Sequence, residues 1–506
     1  MTRTAPAEPP DRGTARERSN TPGRAAVLAR GALAALVLLC GLTLLLGYAN
    51  KARCTGPEFD PAGRSGPDFA IRYDRDVCYS DIQYLWLGRD IDKHVFPYLS
   101  GSITEDGALV GGSVEYPVLT GLLIWAGAAL ASTDAGFLLG SALLMAPFGL
   151  LTAWLLGRLS RWRALLWAAG PPLVLYAFHN WDLPVVACAV GAVYVVHRGW
   201  GAAGTARPLV DRATVAAVLL GLGFAFKLYP GAFVLPLALY VLTATRDPLG
   251  GGRYDVRGAL QVVTAATVTV ALVNLPFAVL GYRGWWASFA FQGHRKVDIT
   301  TNSVWFWGFR PESNPENKSF QDLMDWLSPA LVFTSFAVAA GIGWWRYRRE
   351  GAYPWVAVSA AMLAGFLLLH KVHSPQYTLW LVPFFVLLRV PWSVVAAYFL
   401  ADAAMGIGIF RWFYVTKTGL PSGIYDSWES QAVMVGVWGR AILLVALFVL
   451  FARAKAVVSM VDGQHGGHVP SRGDDRSATG GGLLGQAPGD QARREGRLAR
   501  TGDRGS

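Results

Sequence analysis

The sequence predicts an all-α polytopic membrane bundle of about twelve transmembrane helices with a large first extracytoplasmic loop. Of 506 residues, 53% are hydrophobic and only 16% charged, and the mean hydropathy is +0.34. That is too little charge to cover a soluble chain of this length. The apolar residues fall in long continuous runs rather than one-sided stripes. Arginines gather between alternate runs, which orients those loops toward the cytoplasm. The formal net charge of +11 is thus read as an orientation signal, and no nucleic-acid partner is expected. Cys40 and Cys188 lie inside apolar runs. Cys54 and Cys78 share the first polar loop and can pair if that loop faces an oxidising compartment; composition leaves the pairing open.

Taken in order, residues 1–24 are rich in Pro, Arg, Thr and Ala without apolar periodicity, and are expected to be a disordered cytoplasmic tail. Residues 25–47 form the first span, preceded by Arg16, Arg18 and Arg24. The run is longer than a signal-peptide core, and no small-x-small cleavage site follows it. Residues 48–115 form a polar loop with eleven acidic side chains. Two apolar runs follow, 116–131 and 137–156. If both crossed, Arg158, Arg161 and Arg163 would lie outside; reading 116–131 as an interfacial helix keeps them inside.

Spans at 165–178 and 183–196 then flank an outer turn, His179-Asn180-Trp181-Asp182, and return to Arg198, Arg207 and Arg212. Spans at 214–226 and 228–243 flank Lys227. Arg246, Arg253 and Arg257 mark the next inner loop, and 259–280 leads to a second outer loop, 281–328. The span 331–345 returns to Arg346, Arg348 and Arg349, and 355–369 leads out to His370-Lys371-Val372-His373-Ser374-Pro375-Gln376. Spans at 377–388 and 392–410 surround Arg389, a polar loop covers 411–431, and 432–451 is the last span. Residues 25–453 are therefore read as one integral domain in the plasma membrane, with both termini cytoplasmic. Residues 454–506 are expected to be a mostly disordered cytoplasmic tail. The Gly-rich stretch near 480 follows no strand and opens no helix, so it is read as linker, and no internal repeat is apparent.

The chain is organised around Cys78-Tyr79-Ser80-Asp81-Ile82-Gln83-Tyr84-Leu85 in the first loop. This topology puts Asp81, Arg89, Glu115, His179, Asp182, Lys227, His370, Lys371 and His373 on one face. Each has a plainer reading. Asp81 can cap a helix beginning at Ile82, Glu115 can start the interfacial helix, and Asp182 can cap the returning span. Lys227 can snorkel toward head groups, and His370 and His373 can be interfacial. Together they exceed what outer turns require. Trp285, Trp286, Phe289, Phe291, Trp305, Phe306, Trp307 and Phe309 crowd the second outer loop, as an aromatic belt or as a surface for sugar or lipid.

Five stretches in this order, Tyr79-Ser80-Asp81-Ile82, Glu115-Tyr116-Pro117, Asn180-Trp181-Asp182, Phe226-Lys227-Leu228-Tyr229-Pro230 and Lys371-Val372-His373-Ser374-Pro375-Gln376-Tyr377, resemble glycosyltransferase family 87. That family is an actinobacterial branch of the C-type membrane glycosyltransferases and includes polyprenyl-phosphate-mannose-dependent mannosyltransferases. The resemblance covers about residues 26–453. It implies a C-type glycosyltransferase fold and an extracytoplasmic active site among membrane lipids. There a hexose, mannose by analogy, would pass from a polyprenyl-phosphate carrier to a lipid or glycan acceptor of the cell envelope. Asp81 matches the family's base, with Glu115 as the second catalytic candidate. Arg89, His179, Asn180, Asp182, Lys227, His370, Lys371, His373 and Gln376 are implied to bind substrate. No Asp-x-Asp surrounds Asp81, so neither a metal nor another cofactor is expected.

The chemistry suits this set. Inverting transfer needs one base for the acceptor hydroxyl and cations or hydrogen-bond donors near the departing phosphate, with Lys227, Lys371 and Arg89 available. A transporter or lipid flippase is the alternative, and would place ionisable groups near the middle of spans or show repeated halves. A non-catalytic membrane scaffold would have no need of Asp81.

Overall fold

The computed structural model describes residues 22–198, 208–246 and 251–457. The expectations for residues 1–21 and 458–506, and for Arg207 as a loop marker, lie outside the described residues. The described chain is mostly helical, with seven helices long and apolar enough to cross a membrane. The expected count of about twelve spans is not confirmed among the described residues, where other apolar runs fold as helices shorter than these seven.

The first loop lies between α1 (Pro22–Ala52) and α4 (Val118–Ala128). It holds α2 (Phe69–Arg75) and α3 (Asp81–Tyr84). Two antiparallel hairpins accompany them, pairing Glu58 with Gly66 (β1–β2) and Ser102 with Val110 (β3–β4). Cys54 and Cys78 are disulfide-bonded, tying the end of α1 to the stretch that carries Asp81. Helix α4 has 11 residues, about 16 Å, too short to cross a hydrocarbon core of about 30 Å.

The run expected as one span at 165–178 breaks at Gly170-Pro171 into α6 (Leu165–Ala168) and α7 (Pro171–Tyr176), after α5 (Asp134–Ser160). Proline has no N–H to donate and disfavours helix in the residue before it. Helices α8 (Leu183–Arg198), α9 (Leu209–Phe226) and α10 (Val234–Thr243) follow. The stretch expected as a second outer loop is largely helical: α11 (Val256–Leu280) is succeeded by α12 (Tyr282–His294) and α13 (Val304–Trp307). Helix α14 (Lys318–Glu350) begins inside the region expected to be loop, because Asn317 caps it by accepting from the Phe320 N–H.

Helices α15 (Trp355–Leu369) and α16 (Thr378–Leu387) are almost wholly buried. Longer helices, including α17 (Trp392–Lys417) and α18 (Trp428–Arg453), complete the bundle. Short α16 is viable because protein satisfies its end: Arg163 donates to the Phe385, Val386 and Leu388 carbonyls at 2.9–3.0 Å. Arg346 does the same for the Ala452 and Ala454 carbonyls at the end of the helix Trp428–Arg453. These arginines thus cap helix ends. Outward faces remain apolar, as at Leu272, Val279 and Leu280 of α11, the surface a hydrocarbon solvent requires. Helices α17 and α18 approach closely at Gly436, where a Cβ would lie 2.5 Å from the Met405 nitrogen.

Candidate active site

Helix α3 begins where the disulfide-anchored loop meets the turn after α7. The Asp81 N–H donates to the His179 carbonyl at 2.8 Å, and the Ser80 hydroxyl donates to the Phe178 carbonyl at 2.7 Å. Ser80, not Asp81, occupies the N-cap position, without a side-chain cap bond, so helix capping does not account for Asp81. Its carboxylate accepts from the Tyr79 hydroxyl at 2.8 Å and from the Asn180 amide at 2.5 Å. Burial raises the Asp81 pKa above the ordinary carboxylate value, opposed by the Asn180 and Tyr79 hydrogen bonds and by Lys227.

Asn180 is held on both sides. Its amide nitrogen also contacts the Tyr116 hydroxyl at 2.7 Å. Its oxygen accepts from Lys227 Nζ at 2.8 Å and from the Trp181 N–H at 2.6 Å. Two donors on the oxygen leave the NH2 as the group facing Asp81. Lys227 also pairs with Asp182 at 2.8 Å, and the Trp380 indole donates to the same carboxylate at 2.8 Å. Lys227 therefore points into the protein rather than snorkelling, and Asp182 uses its carboxylate on Lys227 and Trp380 rather than as a helix cap.

His179 sits beside this network. Its Nδ1 lies 3.4 Å from Lys51 Nζ, and its ring is 5.4 Å from Tyr79. Burial pushes its pKa well below the ordinary imidazole value, so the ring is neutral at pH 7. Lys51, 3% exposed, also donates to the Tyr79 carbonyl at 2.8 Å. Sequence reasoning passed over Lys51 because it follows the apolar run. It also passed over Tyr79 and Tyr116 as site residues, although both stand in the motifs.

Glu115 is committed elsewhere. Arg89 grips it with two contacts, 2.8 and 3.3 Å, and the pair abuts the Asp81 group through Tyr116, the residue after Glu115. A carboxylate held in a bidentate ion pair has its oxygens occupied by the guanidinium fork.

The remaining candidates form a second group on the 370–376 segment. Among the described residues, no hydrogen bond or ion pair joins them to Asp81. Lys371 pairs with Asp325 at 2.7 Å. Burial lowers the His370 pKa to about 4 and that of His373 well below the ordinary value, so both are neutral hydrogen-bonding groups near pH 7. His373 Nε2 and Gln376 Oε1 are buried without a partner. A stack of Tyr377 on Trp380, centroids 3.9 Å apart, links this segment to the residue that holds Asp182.

The sequence reading missed Asp402 on α17 and Arg440 on α18, 3.6 Å apart and both fully buried. The signal was present, since each is a charge within an apolar span, a functional flag in itself.

No protein-family model matches the chain, and no curated sequence is significantly similar to it. Among solved structures it is similar to the archaeal oligosaccharyltransferase AglB from Archaeoglobus fulgidus in complex with an inhibitory peptide and a dolichol-phosphate, at 11% identity and a TM-score of 0.34, with 81% of this chain and 56% of that chain covered. It is also similar to the Archaeoglobus fulgidus oligosaccharyltransferase complex with Zn and sulfate, at 14% identity and a TM-score of 0.32, covering 79% of this chain and 53% of that one. The chain spans little more than half the length of these structures, and scores this low leave a shared fold unestablished.

Proposed function

We propose that the chain is a membrane glycosyltransferase of the C type that moves a hexose, mannose by the family resemblance, from a polyprenyl-phosphate carrier to a lipid or glycan acceptor on the extracytoplasmic face, with inversion. The observation that carries this reading is the Asp81 carboxylate, aimed by Tyr79 and Asn180 from a loop outside the long helices. Asp81 takes the acceptor hydroxyl proton as that oxygen bonds to the anomeric carbon. The bond from that carbon to the phosphate oxygen breaks, and its electron pair leaves with the carrier phosphate. Lys227 keeps Asn180 oriented, its own charge balanced by Asp182. Lys371 is the cation better placed for the leaving phosphate, because its partner Asp325 is 54% exposed and weakly held. The Cys54–Cys78 disulfide supports an oxidising compartment for the Asp81 loop. Arg440 and Asp402, near the middle of long apolar helices, are a feature that a transporter or lipid flippase would share, and that alternative is not favoured.

The donor class is open to direct test. Purified protein in detergent is expected to form product from polyprenyl-phosphate mannose and none from GDP-mannose. Product from GDP-mannose in the absence of lipid carrier would overturn the assignment.

A further inference from the structure

Chemistry fixes the direction of each hydrogen bond around Asn180. Lys227 Nζ and the Trp181 N–H can only donate, and both meet the Asn180 oxygen, at 2.8 and 2.6 Å. The amide nitrogen also only donates. It gives one hydrogen to Asp81 Oδ2 at 2.5 Å and the other to the Tyr116 hydroxyl oxygen at 2.7 Å. Tyr116 is therefore an acceptor in this network, and its own hydroxyl hydrogen has no acceptor among the described residues. Tyr79 differs, because its hydrogen is spent on Asp81 Oδ1 at 2.8 Å.

The Tyr116 hydroxyl is also held in place. Its ring packs edge-on against Trp181, centroids 5.5 Å apart, and Lys227 Nζ lies 5.5 Å from its centroid. The Tyr98 hydroxyl is shared between the Tyr116 and Pro117 carbonyls at 2.9 and 3.0 Å. Gln292 of α12 donates to the Glu115 carbonyl at 2.7 Å. Asn180 is 2% exposed, whereas Asp81 and Tyr116 each keep part of their surface open. A base and a fixed hydrogen-bond donor thus stand side by side, joined by one buried amide.

We propose that Tyr116 selects the acceptor by donating its hydroxyl hydrogen to the oxygen next to the attacking one, so that the acceptor is a vicinal diol, as on a sugar ring, rather than a lone alcohol. This inference rests on the proposed glycosyltransferase function and adds the class of acceptor. Asp81 takes the proton of the attacking hydroxyl, while Tyr116 keeps its own, as a phenol does near pH 7. Neighbouring oxygens of a diol can use both groups at once, because the carboxylate and the phenol both lie within hydrogen-bond reach of one nitrogen. A lone alcohol leaves the Tyr116 donor without that partner, and selection acts on this difference.

The test is transfer from polyprenyl-phosphate mannose by the full chain in detergent. The acceptors are the octyl glycosides of mannose, glucose, galactose and arabinose, each with its monodeoxy derivatives. Removing the attacked hydroxyl abolishes transfer to that position. Removing its neighbour is expected to lower kcat/KM about tenfold in the wild type and by less than about twofold in Tyr116→Phe. A purely structural Tyr116 would lower transfer to every acceptor alike and leave the penalty for the missing neighbour intact, which overturns the proposal. Wild-type protein indifferent to the neighbouring hydroxyl overturns it as well. Should Tyr116→Phe not fold, Tyr116→Met is read in the same way. Wild-type protein that forms no glycosidic bond with any of these sugars overturns the glycosyltransferase reading itself, an outcome visible without any variant.

Discussion

Asp81→Asn is expected to lower transfer by about 100-fold or more while the protein still folds. Asparagine keeps the size of aspartate and can still accept from the Tyr79 hydroxyl and the Asn180 amide, but it cannot take a proton. Because burial raises the Asp81 pKa, the base is ionised only above that raised value. Wild-type turnover should therefore fall as pH drops through a point above the ordinary carboxylate range, and the residual activity of the variant should lack that acid limb. Glu115→Gln is the control. It removes the ion pair with Arg89 but leaves the Asp81 network in place, and should retain activity within about tenfold. Turnover and a pH–rate profile on purified protein check all three statements. An active Asp81→Asn beside a dead Glu115→Gln would move the base to Glu115.

Lys227→Met is expected to damage both folding and rate. The ammonium is the cation of Asp182, whose side chain is fully buried. Stranding that carboxylate costs about 3–5 kcal/mol, read as a lower thermal midpoint and poor recovery from membranes. Adding Asp182→Asn should restore folding, since asparagine can still accept from the Trp380 indole. Rate should remain roughly tenfold or more below wild type, because Asn180 has lost the donor that fixes its orientation. Full recovery of both properties in the double variant would show that Lys227 only neutralises Asp182.

The membrane class was legible from run length and composition, and the arginine pattern marked the loop ends. What composition could not supply was where runs break and which helices are enclosed. The run at 165–178 is interrupted at Gly170-Pro171, and Thr378–Leu387 can be short because Arg163 and its neighbours complete it. Asp81, Asn180, Asp182 and Lys227 were named from the sequence and meet in space. Their division of labour was not legible, since it depends on a lysine turning inward to a carboxylate forty-five residues earlier in the chain. Arg89 and Glu115 were named separately and neutralise each other. Arg440 and Asp402 went unnamed because they stand inside spans, where the reading sought polar groups only at the ends.

The most direct measurement uses proteoliposomes loaded with polyprenyl-phosphate [13C]mannose and an extract of membrane lipids and glycans as acceptor, with the label followed by mass spectrometry and NMR. A glycosyltransferase of this kind should remove label from the carrier, release polyprenyl phosphate in equal amount, and place the mannose in a new glycosidic bond of inverted anomeric configuration. Label that stays on the carrier and only changes leaflet would contradict the assignment and identify a flippase.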